Sequence, residues 1–372
     1  MKIAIIGVRG MPSSYGGLET FVAELAPRLV ERGNEVTVYC RSSLYRQKPP
    51  TFRGVRLKYF PSIEHKAFST LSHSLLSIIH ASFSKFDVIF VVNAANGFWG
   101  VIPKLSGRRS VLNVDGMEWL RPKWNGFARW FFRASAKFGT KTYDAIVTDA
   151  EEMHRLYAEQ FGIKSQYIAY GANIEYSSSP EVLKKYNLQK DNYYLVASRL
   201  IPDNNADIIV DGFVKSGSGK YLAIAGGADY RGNSVEREFF DKLKTLANDR
   251  VLFLGHIDDP HEVVELHCNS FAYIHGHQYG GINPALLKAL GCGNLILANA
   301  TPFNREVLCN GEYGVLFDKT PESVTEAIRK VEGDEQLCET FRAKARHRIE
   351  IAFTWDKITQ QYLDLFERIA GA

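Results

Sequence analysis

KIAIIGVRGMPSSYGGLETFVAELAPRLVERGNEVTVYC, residues 2–40, opens with a short apolar run, KIAIIGV, of the length of a buried strand. A loop punctuated by glycine, RGMPSSYGG, follows, and then Leu18, Phe21, Val22, Leu25 and Leu29 recur at the spacing of one helix face. RGNEVTVYC supplies a second strand. Strand, helix and strand in that order read as a βαβ unit, which implies a parallel sheet covered by helices.

Working outward, FDVIFVV, RSVLNV and YDAIVTD are further apolar strands separated by helix-length segments, and the series closes near YIAYGAN, residues 167–173. The polar stretch that follows reads as a linker over 174–192. A second series begins at YYLVASRL and continues through YLAIAGG, RVLFLG, FAYIHG and NLILANA. The spacing therefore predicts two α/β domains with parallel sheets, 1–173 and 193–353. In the last stretch, 354–372, Ile358, Tyr362, Leu365 and Ile369 keep helical spacing and predict a closing helix.

The 372 residues are enough for about two domains with full cores. A net charge of +4 is too mild to argue for a nucleic-acid partner. The five cysteines, Cys40, Cys268, Cys292, Cys309 and Cys338, are odd in number and never form C-x-x-C. They suggest neither a disulfide framework nor a zinc site, and read as buried thiols in a reducing cytoplasm. No apolar run reaches the roughly 18 residues of a membrane span, and the N-terminal run is too short for a signal peptide. A cytoplasmic chain, soluble or peripheral to a membrane, is expected.

Doubly wound domains bind ligand at the carboxyl ends of their strands. There, GVRGMPSSYGG carries Gly7, Gly10, Gly16 and Gly17, but it is not G-x-G-x-x-G and has no Walker lysine, so it reads either as a ligand loop or as a loop needing positive φ. GGINPALLKALGCG, 280–293, is a glycine turn opening a short helix, with Lys288 in its middle. Helix starts of this kind attract phosphate through unpaired N–H groups and the helix dipole. His275 and His277 flank Gly276; they offer a metal pair or polar pocket lining, and the spacing lacks further ligands.

Between Trp119 and Lys141, the cations Arg121, Lys123, Arg129, Arg133 and Lys137 are interleaved with aromatic residues, among them Trp124. At 100° per residue Phe127, Phe131, Ala134 and Phe138 share one face, and Arg129, Arg133 and Lys137 another. Two readings stand: a helix lying on anionic lipid, or an aromatic face in the core with solvated cations.

These stretches, together with NAANGFWG, NVDGMEWLRPKW, AYGAN and SRLIPDNNAD, resemble the family 4 retaining glycosyltransferases of the GT-B fold. DGMEW…KW and GG-x-NP-x-LL resemble in particular the branch of bacterial polysaccharide transferases that includes rhamnosyltransferases. The resemblance implies two Rossmann-like domains facing across a cleft. The C-terminal one would grip a nucleotide-diphospho-sugar as donor substrate, and the N-terminal one would present the acceptor, without metal or other cofactor. The absence of D-x-D agrees with that.

Carried over residue by residue, the diphosphate-binding arginine falls on Arg199, which could also be a strand-end salt bridge, while the usual lysine five positions on is Asn204, followed by Asn205. The E-x7-E pair falls on Gly280 and Lys288. An ammonium cannot accept from ribose hydroxyls as a carboxylate does. Lys288 has therefore moved to the phosphates, or another group takes the ribose, or donor binding is lost. Gly16, Gly17, His277, Gly281 and Asn283 complete the donor set, and Asp115 and Glu118 are the candidate catalytic or acceptor-orienting groups. Asp115 could instead cap the turn at Gly116. In such retaining enzymes the donor's own phosphate takes the acceptor proton.

The activity implied is transfer of a sugar, with dTDP-rhamnose as the leading donor, to a lipid-linked or oligosaccharide acceptor in surface polysaccharide synthesis, at the inner face of the plasma membrane. A degenerate binding subunit and a nucleotide-sugar epimerase are the alternatives.

Overall fold

The apolar runs become the strands of two separate sheets. The computed structural model describes residues 1–12, 16–65, 68–114, 116–121, 124–227 and 234–371. Two compact units result: Met1–Gly171 with Tyr279–Gly281 and Trp355–Ala372, and Ala172–Gln278 with Ile282–Thr354.

In the first unit β1 (Lys2–Ile6), β2 (Glu35–Arg41), β3 (Thr51–Phe52), β4 (Val55–Phe60), β5 (Val88–Val92), β6 (Ser110–Asn113), β7 (Ala145–Thr148) and β8 (Gln166–Tyr167) form one sheet, ordered β3-β4-β2-β1-β5-β6-β7-β8. Only the β3–β4 pair is antiparallel, with Phe52 opposite Val55. The helices are α1 (Gly17–Glu31), α2 (Ser69–Ser82), α3 (Val101–Leu105), α4 (Gly126–Thr142) and α5 (Glu151–Phe161). Ile3, Ile5 and Ile6 of β1 and Phe90 of β5 are fully buried, as a central parallel strand covered on both faces requires. Strand β4 is built differently: Val55 and Leu57 are buried between exposed Arg56 and Lys58, the alternation of a strand with one wet face.

In the second unit β9 (Tyr193–Ala197), α6 (Ala206–Ser216), β10 (Tyr221–Ala225), α7 (Ser234–Leu246), β11 (Val251–Gly255), α8 (Pro260–Cys268), β12 (Ala272–His275), α9 (Pro284–Gly291), β13 (Ile296–Asn299), α10 (Pro302–Val307), β14 (Val315–Phe317), α11 (Pro321–Glu332) and α12 (Glu335–Ala352) follow in order. The sheet runs β11-β10-β9-β12-β13-β14, all parallel. Its core joins Tyr194, Val196, Phe213, Ile274, Leu297 and Ile328. The stretch 174–192 is packed structure of this unit. Ser177 Oγ donates to Glu265 at 2.6 Å, and the Ser178 and Ser179 N–H groups donate to it at 2.6 and 2.8 Å. Burial pushes the Glu265 carboxyl up, but these bonds and that from Asn269 outweigh it, so the net shift is down.

Helix α13 (Trp355–Ala370) belongs to the first unit. Tyr362 and Phe366 stack near Phe90, with centroids 5.2 and 5.4 Å away, and buried Asn113 Nδ2 donates to the Tyr362 hydroxyl at 2.9 Å. Cys40, Cys292 and Cys338 are buried, whereas Cys268 and Cys309 are only partly so.

Candidate functional site

The strand order of the second sheet reverses between β9 and β12, the place where an open parallel sheet leaves a crevice at its carboxyl edge. β9 runs into exposed Arg199, and β12 runs into Gly276 and His277. Asn204 Nδ2 donates to the Arg199 carbonyl at 2.8 Å, and Asn205 Nδ2 donates to the Gly276 carbonyl at 2.7 Å. Both asparagines are buried, and Asn205 takes φ 53° before α6. A Cβ on Gly276 would stand 2.2 Å from the Asn204 carbonyl oxygen, so only glycine lets the two loops meet. The two amides, at and beside the position where the resemblance places a phosphate-binding lysine, thus fix the loop that presents Arg199.

His275 is buried and stacks on His277 with centroids 4.6 Å apart, and the Tyr273 hydroxyl lies 3.2 Å from its Nδ1. Burial, then the neighbouring His277, holds the His275 ring well below the usual histidine range, so it stays neutral.

Asn283 caps α9, its Oδ1 accepting from the Ala285 N–H at 2.9 Å, with Pro284 at the first helical position, which leaves the helix N-terminus presentable to an anion. On α9, half-buried Lys288 forms no ion pair or side-chain hydrogen bond with a described residue. Its charge reaches His267, which is buried with Nδ1 3.1 Å from Asn294 Oδ1. Burial, then the Lys288 charge, pushes the His267 ring down to about 3.

In the first unit Gly16 precedes α1 with φ 107°, which favours glycine, and Gly17 begins the helix. Glu19 in the first turn accepts from the Arg9 N–H at 3.3 Å. The turn Tyr279–Gly281 lies against the ends of β6 and β7. A Cβ on Gly116 would stand 2.9 Å from Gly280 Cα, and one on Gly281 only 1.8 Å from Asp149 Oδ1. Buried Asp149 is a residue the sequence reading passed over; its only signal is a carboxylate ending the apolar run of β7.

Glu118 does not present a free carboxylate. Its Oε1 pairs with Arg121 Nε at 2.8 Å, and its Oε2 accepts from Trp124 Nε1 at 3.0 Å. Asp115 and Lys123 lie outside the described residues.

Helix α4 divides its aromatic stripe: Phe131 and Phe138 lie against Phe98, with centroids 5.4 and 5.5 Å away, while Phe127 points out. The buried residues are Ser135, Ala136, Gly139 and Thr142, whereas Phe127 and Trp130 are 73 % and 62 % exposed. The reason is close backbone approach. Ser135 Oγ donates to the Ala94 and Ala95 carbonyls at 2.8 and 2.9 Å, and a Cβ on Gly97 would stand 1.9 Å from the Ser135 carbonyl oxygen. A ring on that face would not fit.

Residues 15–175 match the family model described as Glycosyltransferase Family 4, and residues 178–348 the one described as Glycosyl transferases group 1. An uncharacterized glycosyltransferase of Methanocaldococcus jannaschii is 30 % identical over 140 residues, 36 % of each chain. A capsular polysaccharide biosynthesis glycosyltransferase of Staphylococcus aureus is 22 % identical over 197 residues, 50 % of each chain. The matched part is thus half or less of these curated relatives. Among solved structures, sucrose-phosphate synthase from Thermosynechococcus elongatus superposes with a TM-score of 0.82 at 18 % identity, over 99 % of this chain and 98 % of that one. Anabaena HepE in complex with UDP-glucose superposes with 0.80 at 16 % identity, over 99 % and 100 %. At such identities the likeness is one of fold.

Proposed function

We propose, for a chain of GT-B fold that carries a Family 4 glycosyltransferase domain followed by a group 1 glycosyltransferase domain, that it transfers a sugar from a nucleotide diphosphate to a hydroxyl acceptor with retention. The observation that carries this is the carboxyl edge of the second sheet. Arg199 leaves β9, the His277 loop leaves the neighbouring switch strand β12, and α9 brings a capped N-terminus and a lysine with no ion pair among the described residues. A guanidinium makes paired hydrogen bonds to phosphate oxygens, and a helix N-terminus adds N–H donors, so the diphosphate is held as it becomes the leaving group. Its own oxygen then accepts the acceptor proton, with Asp115 orienting the hydroxyl and no metal required.

The motifs DGMEW and GG-x-NP support dTDP-rhamnose as donor and a lipid-linked or oligosaccharide acceptor of surface polysaccharide synthesis at the inner membrane. Solved neighbours in complex with UDP and UDP-glucose make UDP the competing donor nucleotide. Thermal shifts with dTDP, UDP, GDP and ADP decide the base, because a ligand of the folded state raises its stability by mass action. Calorimetry on Arg199→Ala should then show at least about tenfold weaker diphosphate binding, since a charge-assisted hydrogen bond contributes roughly 1.5–3 kcal/mol. No shift with any diphosphate would overturn the assignment. The departures at Asn204 and Lys288 favour a second reading, a binding subunit without turnover, which predicts a bound nucleotide sugar that is neither transferred nor hydrolysed.

A further inference from the structure

We propose that the outer surface of α2, α3 and α4 is a docking face for an anionic lipid bilayer. The inference deepens the inner-membrane part of the proposed function, and its test reads binding alone. These helices cover the same side of the first sheet, since each follows a strand on the way from β4 through β5 and β6 to β7. α3 and α4 are joined at their carboxyl ends by Lys104 Nζ, which donates to the Lys141 carbonyl at 2.7 Å.

Single exposed apolar side chains are ordinary. Here several share one layer: Phe127 and Trp130, 73 % and 62 % exposed, begin α4, Leu105, 83 %, ends α3, Phe83, 79 %, follows α2, and Leu76 and Ile79 of α2 are also exposed. The charge on the same helices has one sign. α2, α3 and α4 contain no Asp or Glu, while Lys104, Arg129, Arg133, Lys137 and Lys141 are all exposed or rim the face. On α4, Trp130 lies in the arc of Arg133, Lys137 and Lys141, with Phe127 and Phe138 at one flank. An amphipathic ring among cations is what a headgroup layer accommodates: the ring enters the acyl boundary and the cations meet lipid phosphates. The inner face of α4 is filled by its small residues against 94–100, and Phe131 and Phe138 lie against Phe98 beside it, which leaves Phe127 and Trp130 outside the packed face. No described helix is long and apolar enough to cross the bilayer, which leaves an in-plane contact.

The test is co-sedimentation of the whole chain at low salt with vesicles of phosphatidylcholine, with and without phosphatidylglycerol. Binding is expected only when phosphatidylglycerol is present, and is expected to weaken with added salt. The triple variant Arg129→Glu, Arg133→Glu, Lys137→Glu should bind weaker by on the order of a hundredfold, about fivefold per cation. The double variant Phe127→Ser, Trp130→Ser should bind at least about tenfold weaker through lost apolar burial. Lys184→Glu with Lys190→Glu, exposed cations of the second unit, should bind as the parent does. All the substituted side chains are exposed, so unchanged melting curves certify the fold. Equal binding to both vesicles, equal loss in the second-unit variant, or full binding by the aromatic variant would each overturn the proposal, the last because a polyanion needs only the charge.

Discussion

Lys288 stands where the resemblance places a ribose-binding carboxylate, and its surroundings favour a phosphate. No described carboxylate pairs with it, and the neighbouring His267 is held neutral, so a half-buried positive charge is left for a ligand to meet. Lys288→Glu should therefore weaken nucleoside diphosphate binding by about tenfold or more while affecting the bare nucleoside little, as calorimetry of both ligands reads. Tighter diphosphate binding by the Glu variant would instead mean a lost ribose clamp restored. Asn204 teaches the complementary lesson. From spacing alone its amide is a stand-in for lysine, yet it is spoken for by the Arg199 carbonyl, a partner that exists only once the loop is folded. Gly281 and Asp149 are likewise paired by folding alone, being far apart in sequence.

At the scale of elements, long apolar runs were legible and alternating or small-residue surfaces were not. β1, β5 and β9 announce themselves because a strand covered on both faces is apolar throughout. β4 does not, since Arg56 and Lys58 interrupt it. Helical spacing of Phe127, Phe131 and Phe138 in α4 is real, but spacing does not say which face meets the protein. Backbone approach at Gly97 and Gly139 decides that. Gly97→Ala should consequently cost about 1–3 kcal/mol or more by overpacking, because the Ser135 carbonyl cannot move without displacing α4. Denaturant melts followed by circular dichroism measure it, and a neutral result would mean that the helix shifts freely along 94–100.

At the scale of the whole molecule, buried histidines set an acid limit. His73 is pushed down to about 4 by burial and then by Arg41, His267 to about 3, and His275 well below its usual range. All three are neutral when folded at pH 5, whereas in the unfolded chain they are protonated below about 6.5. Unfolding then takes up protons, so stability falls as pH falls, by about 1.4 kcal/mol per pH unit for each histidine near pH 5. Melts between pH 7 and 5 should show this decline, and His267→Gln should make it shallower by about one proton, whatever its absolute stability. An unchanged slope would show that His267 is charged in the folded state.

What the sequence by itself determined is the class of fold and the loops that end the strands of the second sheet, because both depend on local features: the length of apolar runs and the glycines between strand and helix. The tertiary structure decided which side of α4 faces out, that Glu118 is bound to Arg121 and Trp124, that Asp149 lies against Gly281, and that the Lys288 charge acts on a buried, neutral histidine. Each of these depends on contacts between distant parts of the chain, and on whether a side chain already has a partner. No periodicity carries that information, since burial and pairing are properties of the packed chain.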